Sequence, residues 1–513
     1  MLKKIRITLA IVFFVFITLL FLDFTGTLHT WFGWMAKIQF LPAVLALNAG
    51  IIILLVLLTL LLGRVYCSVI CPLGVFQDIA ARFGKWKKKL PYSFSPAKSW
   101  LRYGILAVVA VAIIFGVGIV AALLDPYGAY GRIANNLLLP LWQLGNNILA
   151  TIAERSNSYV FHTTDVWLKS LPTLIVAVVT FCVVAFLAWR NGRTYCNTIC
   201  PVGTALGFLS RFSLYQIRID GQKCNNCKIC ERHCKAACIN SKEFKVDYSR
   251  CVSCMNCISK CNRDAVGYTF GVPAFVSKAG QVRNEVSQAN GDESKVRNDM
   301  DRKGFLVATM AFATSALKAQ LTVPQATDIK VDGGLADILD KVAPVRLTPI
   351  TPAGSLSARN MNRRCTACQL CVTTCPNSVL RPSNSLATFM QPTMSFERGF
   401  CRTECVKCTE VCPSGAINKI SVEEKSSTQI GHAVWRRGRC IPVRDGQPCN
   451  NCEHHCPTNA ITMVPLVPGD ANSLEIPAIN EALCIGCGAC EYLCPSRPLS
   501  AIHVEGHQIH RII

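Results

Sequence analysis

The sequence is poor in charge. Only 16% of its 513 residues are charged, with 31 acidic against 53 basic, while 51% are hydrophobic. A soluble chain of this length carries more charge, so membrane segments are expected. The marks of most redox enzymes are also missing. There is no Cys-x2-Cys-His haem site, no Walker loop and no Gly-x-Gly-x2-Gly dinucleotide fingerprint. Ser414-Gly415-Ala416 imitates a flavin-attachment fragment, but it sits in the Cys-Pro-x-x-Ala-Ile phrase that follows ferredoxin motifs. No catalytic residue and no substrate-converting site is visible. What is abundant is cysteine, thirty in all. Most fall in short regular arrays, which points to metal sites rather than to a disulfide scaffold.

The formal net charge of +22 imitates a nucleic-acid binder. If seven clusters take twenty-eight thiolates and each core returns roughly +2, the balance falls by about 14, to roughly +8. Much of the excess base is then counter-charge for clusters, and no nucleic-acid partner is expected.

Met1 to Arg6 is short and basic, and Ile7 to Leu22 is an apolar run followed by Asp23-Phe24-Thr25-Gly26 rather than a small-residue cleavage site, which predicts an uncleaved anchor. Ile38 to Leu62 is long enough to span a bilayer. Arg82, Lys85, Lys87, Lys88 and Lys89 then mark a cytoplasmic loop. Leu101 to Leu124 spans back. The outer loop from Asp125 to Leu171 carries Tyr127, Tyr130, Trp142 and Trp167, which suit an interfacial belt, and an interfacial helix over Ile133 to Ile152. Pro172 to Trp189 returns to the cytoplasm.

The two cytoplasmic ends are an internal repeat. Gly63-Arg64-x-Tyr66-Cys67-x3-Cys71-Pro72-x-Gly74 matches Gly192-Arg193-x-Tyr195-Cys196-x3-Cys200-Pro201-x-Gly203. Helical spacing would put both sulfurs of a motif on one face. Two such units related by pseudo-symmetry would bring Cys67, Cys71, Cys196 and Cys200 together, the ligand set of one 4Fe-4S cluster. The alternative is reduced, unliganded cysteines beside membrane helices. Arg64 and Arg193 read first as positive-inside anchors.

Cys224, Cys227, Cys230 and Cys234 are followed by Cys251, Cys254, Cys257 and Cys261 with the spacing of a bacterial two-cluster ferredoxin, in which the fourth cysteine of each motif crosses to the other cluster. The usual proline after the fourth cysteine is replaced by Lys235 and Asn262. Cys238 and Cys182 are left over as packing thiols. Four more motifs follow: Cys365, Cys368, Cys371, Cys375; Cys401, Cys405, Cys408, Cys412; Cys440, Cys449, Cys452, Cys456; and Cys484, Cys487, Cys490, Cys494. Each closes with x3-Cys-Pro, but the second opens with x3 and the third with x8. Nested crossing, first with fourth and second with third, and adjacent crossing both remain open. Six 4Fe-4S clusters are expected, with a seventh at the paired Cys-x3-Cys-Pro motifs.

These residues carry a resemblance. Residues 1 to about 270, with four spans, two Cys-x3-Cys-Pro motifs and a two-cluster segment, resemble NapH-like membrane ferredoxin-type proteins and are similar to the NosR and FixG/CcoG membrane polyferredoxins. Residues from about 300 onward, including PITPAGSLSARNMNRRCTACQLCVTTCP and the four motifs, resemble the NapG/MauM ferredoxin-type proteins. The resemblance implies a fusion of the two, and an electron-transfer component that takes electrons from quinol and passes them to a periplasmic oxidoreductase such as a nitrate reductase. A FixG-like reductant for metalloenzyme maturation, and transfer from a cytoplasmic donor to the quinone pool, are the alternatives. Asp301-Arg302-Lys303-Gly304-Phe305-Leu306 is similar to a twin-arginine export signal, with Lys303 departing from it.

The expected architecture is therefore an α-helical membrane domain of four to five spans plus α+β bacterial ferredoxin-like domains. Its parts are 1-210, membrane domain; 211-270, two-cluster ferredoxin domain; 271-303, polar linker; 304-319, fifth helix or signal anchor, with a buried or interfacial helix as the alternative; 320-360, extended connector; and 361-513, four-cluster domain. The expected place is the inner membrane as a multi-pass protein, with residues 190-300 cytoplasmic and 320-513 periplasmic. The expected partners are the lipid bilayer, the quinone pool and a redox protein.

Overall fold

The computed structural model describes residues 2–23, 25–83, 92–155, 161–271, 330–331, 337–338, 340–470 and 473–513. The chain divides into two units. One joins Met1–Gly271 to Lys341–Ile513; the other is Val272–Asp340, of which only the antiparallel pair Lys330–Val331 with Asp337–Ile338 is described. The predicted fifth helix, the polar linker beyond Gly271 and the start of the connector lie outside the described residues.

Four apolar helices organise the first unit: α1 (Leu2–Leu22), α2 (Ala49–Leu62), α3 (Ser99–Phe115) and α4 (Leu171–Asn191). Among the described residues, α1 and α4, of 21 residues each, are long and apolar enough to cross a membrane, whereas α2 and α3 are shorter apolar helices. At 1.5 Å per residue α1 and α4 reach about 30 Å, the thickness of a bilayer's hydrocarbon core. Two predicted spans are thus broken helices. Ile38 to Leu62 is interrupted where Leu47 takes a positive φ of 56° and the Asn48 side chain caps α2, and Leu101 to Leu124 is interrupted at Gly116, φ 78°. All four helices expose apolar side chains outward, among them Ile11, Leu57, Ile114 and Val179. A water-facing surface rarely leaves so much apolar area uncovered.

The predicted outer loop is largely interior. The helix Pro126–Ile133 begins at Asp125, whose carboxylate accepts from the Tyr127 and Gly128 amides, and all eight of its residues are buried. Tyr127 and Tyr130 are 0% and 1% exposed, so they pack the core instead of forming an interfacial belt. Trp142 is exposed, and Trp167 lies under the guanidinium groups of Arg381 and Arg398. A π-turn, Ala134–Leu138, carries the chain into the helix Leu139–Arg155.

Two ferredoxin modules cap the helices. In the first, β1 (Tyr215–Ile219) pairs antiparallel with β2 (Val266–Phe270) around both motifs. The second begins at Lys341 and uses three two-stranded ribbons: β3 (Leu380–Pro382) with β4 (Pro392–Met394), β5 (Thr428–Trp435) with β8 (Ile502–Ile512), and β6 (Ile461–Pro465) with β7 (Glu475–Ile479). Every apolar helix has one end on each module. The first module takes Lys3 of α1 through Ser259, the Leu62 carbonyl of α2 through Ser253 and Tyr268, Arg102 of α3 through Ser249, and the end of α4 through the Arg193 amide bonded to the Lys235 carbonyl. At the opposite ends, Lys407 bonds the Thr25 carbonyl, Gly415 lies against Ala46, Arg363 bonds the Ile114 carbonyl and Asn384 accepts from Ser170. The helices therefore alternate in direction between the modules.

Candidate iron-sulfur centres

The internal repeat folds as its symmetry requires. Cys67 and Cys196 each lie in a one-turn helix, and Cys71 and Cys200 follow the turns, each directly before the proline that starts the next helix. The motif is thus a turn rather than a helical face. All four cysteines are 2–3% exposed and face one another inside the helical bundle. Gln77 donates to the Cys196 sulfur at 3.1 Å, and the Gly203 amide donates to that of Cys200 at 3.3 Å.

Arg64 and Arg193 depart from their anchor reading. They are 0% and 1% exposed, and each reaches into the other repeat. Arg193 Nη1 donates to the Cys67 carbonyl at 2.6 Å and Arg64 Nη2 to the Cys196 carbonyl at 3.3 Å. Arg64 also donates to the Ser249 carbonyl, two residues before Cys251. Two guanidinium groups thus stand beside a site that needs thiolates.

The remaining cysteines assemble with crossed ligands. Cys224, Cys227 and Cys230 share a pocket with Cys261, and Cys251, Cys254 and Cys257 lie with Cys234, as the spacing implies. In the second module crossing is adjacent, not nested. Cys365, Cys368 and Cys371 meet Cys412, and Cys401, Cys405 and Cys408 meet Cys375. Cys440, Cys449 and Cys452 line a pocket with Cys494, and Cys484, Cys487 and Cys490 line one with Cys456. The x3 and x8 openings change local loops without disturbing this pattern.

Cys238 is more than a packing thiol. It is buried, its sulfur lies 3.5 Å from that of Cys234, and it also hydrogen-bonds Cys251, so it touches two members of one site. Cys182 faces outward from α4.

The donor sets suit iron-sulfur cubanes. None of the thirty cysteines forms a disulfide. Burial pushes the Cys368, Cys452 and Cys487 thiols up to about 12, so four thiolates would not coexist there without a cationic core. Backbone amides already point at the sulfurs of Cys365, Cys456 and Cys494. Crossed ligation gives an expected labelling pattern. Cys412→Ser should expose Cys365, Cys368 and Cys371 to alkylation while Cys401, Cys405 and Cys408 stay protected, with iron falling by about four atoms per chain; Cys375→Ser should reverse the pattern.

Comparison with known proteins agrees with this geometry. A 4Fe-4S binding domain model matches residues 45–91 and 171–219, the two halves of the repeat, and 4Fe-4S dicluster domain models match 364–417, which encloses one adjacent pair, and 447–497, which holds all the cysteines of the other pair except Cys440. The chain carries 4Fe-4S ferredoxin domains. It is distantly similar to ferredoxin-type proteins. The methylamine utilization ferredoxin-type protein MauM of Methylobacillus flagellatus is 28% identical over 31% of this chain and 70% of its own length. The ferredoxin-type protein NapF of Escherichia coli is 25% identical over 31% of this chain and 87% of its own. An uncharacterized protein of Methanocaldococcus jannaschii is 36% identical over 15% of this chain, which spans only 30% of that relative's length. No solved structure matches.

An ion-pair cluster holds the first module to the helices, and sequence reasoning missed its centre. Asp78, on the helix Pro72–Phe83, receives Arg6 of α1 at 3.1 Å, Arg193 at 2.9 Å and Lys235 of the first module at 3.3 Å. Burial alone would raise its carboxyl, but the three cations hold it well below the usual carboxylate range. Asp78→Asn would leave them uncompensated, and a loss of about 3–5 kcal/mol is expected, measured as the unfolding midpoint of the first module in detergent; an unchanged midpoint would show that solvent replaces the carboxylate. Three residues of the outer segments could accept protons released from a quinol: Asp125 is a helix cap, His162 is exposed, and His29 pairs with Asp23 at 3.2 Å.

Proposed function

We propose that this chain is a membrane polyferredoxin that takes electrons from quinol and delivers them, through seven 4Fe-4S sites, to a redox protein on the opposite side of the bilayer. The observation that carries the reading is the alternating bundle with one ferredoxin module on each end and the Cys67 site buried between them. Bound clusters supply one-electron transfer at potentials set by burial, charge and hydrogen bonds to sulfur. The chain's own part is to hold the thiolates, exclude water and place compensating charge. Arg64 spans from the Cys251 site to the Cys67 site through Ser249 and Cys196. Beyond the Cys67 site, the buried Arg132 guanidinium bonds the Ala122, Leu123 and Ala367 carbonyls, tying the bundle to the Cys365 site.

The basic run Lys85 to Lys89 and Arg190 favour the first-module end as cytoplasmic and the second module as periplasmic. A groove of about 800 Å³ supports a quinol donor. Its floor is apolar, from Ile7, Ala10 and Ile79, and its polar end is formed by Arg6, Asp78 and Asn256, the last standing between two cysteines of the Cys251 site. The acceptor proposed for this chain is a periplasmic oxidoreductase of the nitrate reductase type.

The test combines two readings. Quinol added to the purified protein in liposomes should reduce the second-module clusters, read by electron paramagnetic resonance, and protease added to spheroplasts should cleave residues 341–513. Failure of the first removes quinol as donor. Failure of the second places both modules on one side and favours exchange between a cytoplasmic donor and the quinone pool.

A further inference from the structure

The second module presents its four sites in an order that differs from their order in sequence. The Cys365 site lies against the bundle, where the Ala367 carbonyl meets Arg132 and the Gln369 side chain meets Asn135. The Cys401 site is its crossed partner. The Cys401 amide bonds the Cys487 carbonyl at 2.9 Å, which brings the Cys484 site next, and Cys490 faces Cys452 of the Cys440 site. The Cys440 site is therefore the far end of the row.

That end departs from the standard motif. Two residues between the first and second cysteines suffice in the Cys365 and Cys484 motifs, whereas eight separate Cys440 from Cys449. The extra residues make a short helix, Ile441–Arg444, and an exposed turn from Arg444 to Pro448. Immediately before Cys440, Arg436, Arg437 and Arg439 are all exposed, and among the described residues none of them forms an ion pair. His454 and His455, also exposed, flank the site on the other side. The one exposed acid in the inserted turn, Asp445, is bonded to Arg444 at 2.7 Å and 2.8 Å. Cys449 and Cys452 are only partly buried. With no ion-pair partner among the described residues, these three arginines form a concentrated positive field beside the outermost site, where a partner would need to approach.

We infer that the arginine collar and the eight-residue loop around Cys440 are the docking surface for a protein redox partner that carries an acidic patch around its own electron-entry point. The inference goes beyond the proposed direction of electron flow, because the collar steers an acidic protein whether electrons leave or enter here. For a departing electron the balance is one reduced cluster oxidised by one unit and one acceptor centre reduced by one unit, with no atom transferred.

The test uses the full chain reduced with dithionite, excess reductant removed, and two oxidised probe proteins of opposite surface charge, an acidic blue-copper protein and a basic c-type cytochrome. The native protein should bind and reduce the acidic probe with a second-order rate that falls at least tenfold between low and high salt. Arg437→Glu with Arg439→Glu should slow that rate at least tenfold at low salt, converge with native at high salt and weaken binding of the oxidised acidic probe to the oxidised chain. Reduction of a neutral quinone should stay unchanged, showing that the clusters are intact. Equal rates in native and variant at low salt, or a native preference for the basic probe, would overturn the inference. So would loss of binding to anionic vesicles as the variant's only effect, which would assign the collar to a lipid surface.

Discussion

Replacing Cys196 with Ser is expected to reduce quinol-driven electron arrival at the second module to background. Cys196 belongs to the one group of four cysteines inside the bundle, between a module at each end of the helices. Arg193 and Arg64 place positive charge beside it and Gln77 donates to its sulfur, which partly offsets the cost of holding a buried thiolate there. Serine keeps the volume and the polarity but is a poor ligand for a cluster. The informative comparison uses two reductants. Dithionite reaches each module from solvent, so both modules should still show their reduced spectra, whereas quinol should leave the second module oxidised. If quinol reduces the second module of the variant at the native rate, the Cys67 site is not on the path, and the two modules exchange electrons by another route or not at all. Arg64→Met is a milder form of the same test. It leaves the cysteines in place but removes one of the two cations beside the buried site, and it should shift the spectrum or potential of that site and, through Ser249, of the Cys251 site, while the five other sites stay unchanged.

Much of this arrangement was legible because cysteine spacing is a direct record of ligand geometry. The crossed pairs of the first module follow from Cys-x2-Cys-x2-Cys-x3-Cys, and the convergence of Cys67, Cys71, Cys196 and Cys200 follows from duplication of their flanks as well as of their spacing. Crossing in the second module was not legible, since adjacent and nested schemes satisfy the same spacing and only folding decides between them. Hydropathy marked where α1 and α4 lie, yet it merged α2 and α3 with neighbouring short helices, because it does not register the break at Leu47 or the one at Gly116. The larger misreading concerns Asp125 to Ile133. Its aromatic, polar and glycine-rich composition suits a membrane interface, but those residues are buried because the second module covers them. A sequence window cannot see a cover supplied by residues more than two hundred positions away. For the same reason Arg64 and Arg193 read as positive-inside anchors, and Asp78 gives no signal at all, until their partners from other elements are in place.

That covered helix gives the second large effect. Gly128 and Gly131 let the backbone of Pro126–Ile133 lie directly against the Cys365 motif. A β-carbon on Gly131 would stand 2.4 Å from the Cys368 carbonyl oxygen and 2.8 Å from the Phe21 ring, and one on Gly128 would stand 2.4 Å from the Thr366 carbonyl oxygen. These are backbone contacts on one side, so no flexible side chain can move aside. Gly131→Ala should then cost about 1–3 kcal/mol, and since each 1.4 kcal/mol is tenfold, the docked fraction should become measurably incomplete. Gly131→Leu should separate the Cys365 site from the bundle. The chain would keep all of its cysteines, so its iron content should stay at the native value and dithionite should reduce every cluster. Quinol should no longer reduce the second module. Gly145→Leu is the control, because a β-carbon there meets nothing within 4 Å, and it should behave as native. Native electron transfer in Gly131→Leu would mean that the contact between the Pro126–Ile133 helix and the Cys365 motif holds the modules together without carrying current, and the path would have to leave the bundle elsewhere.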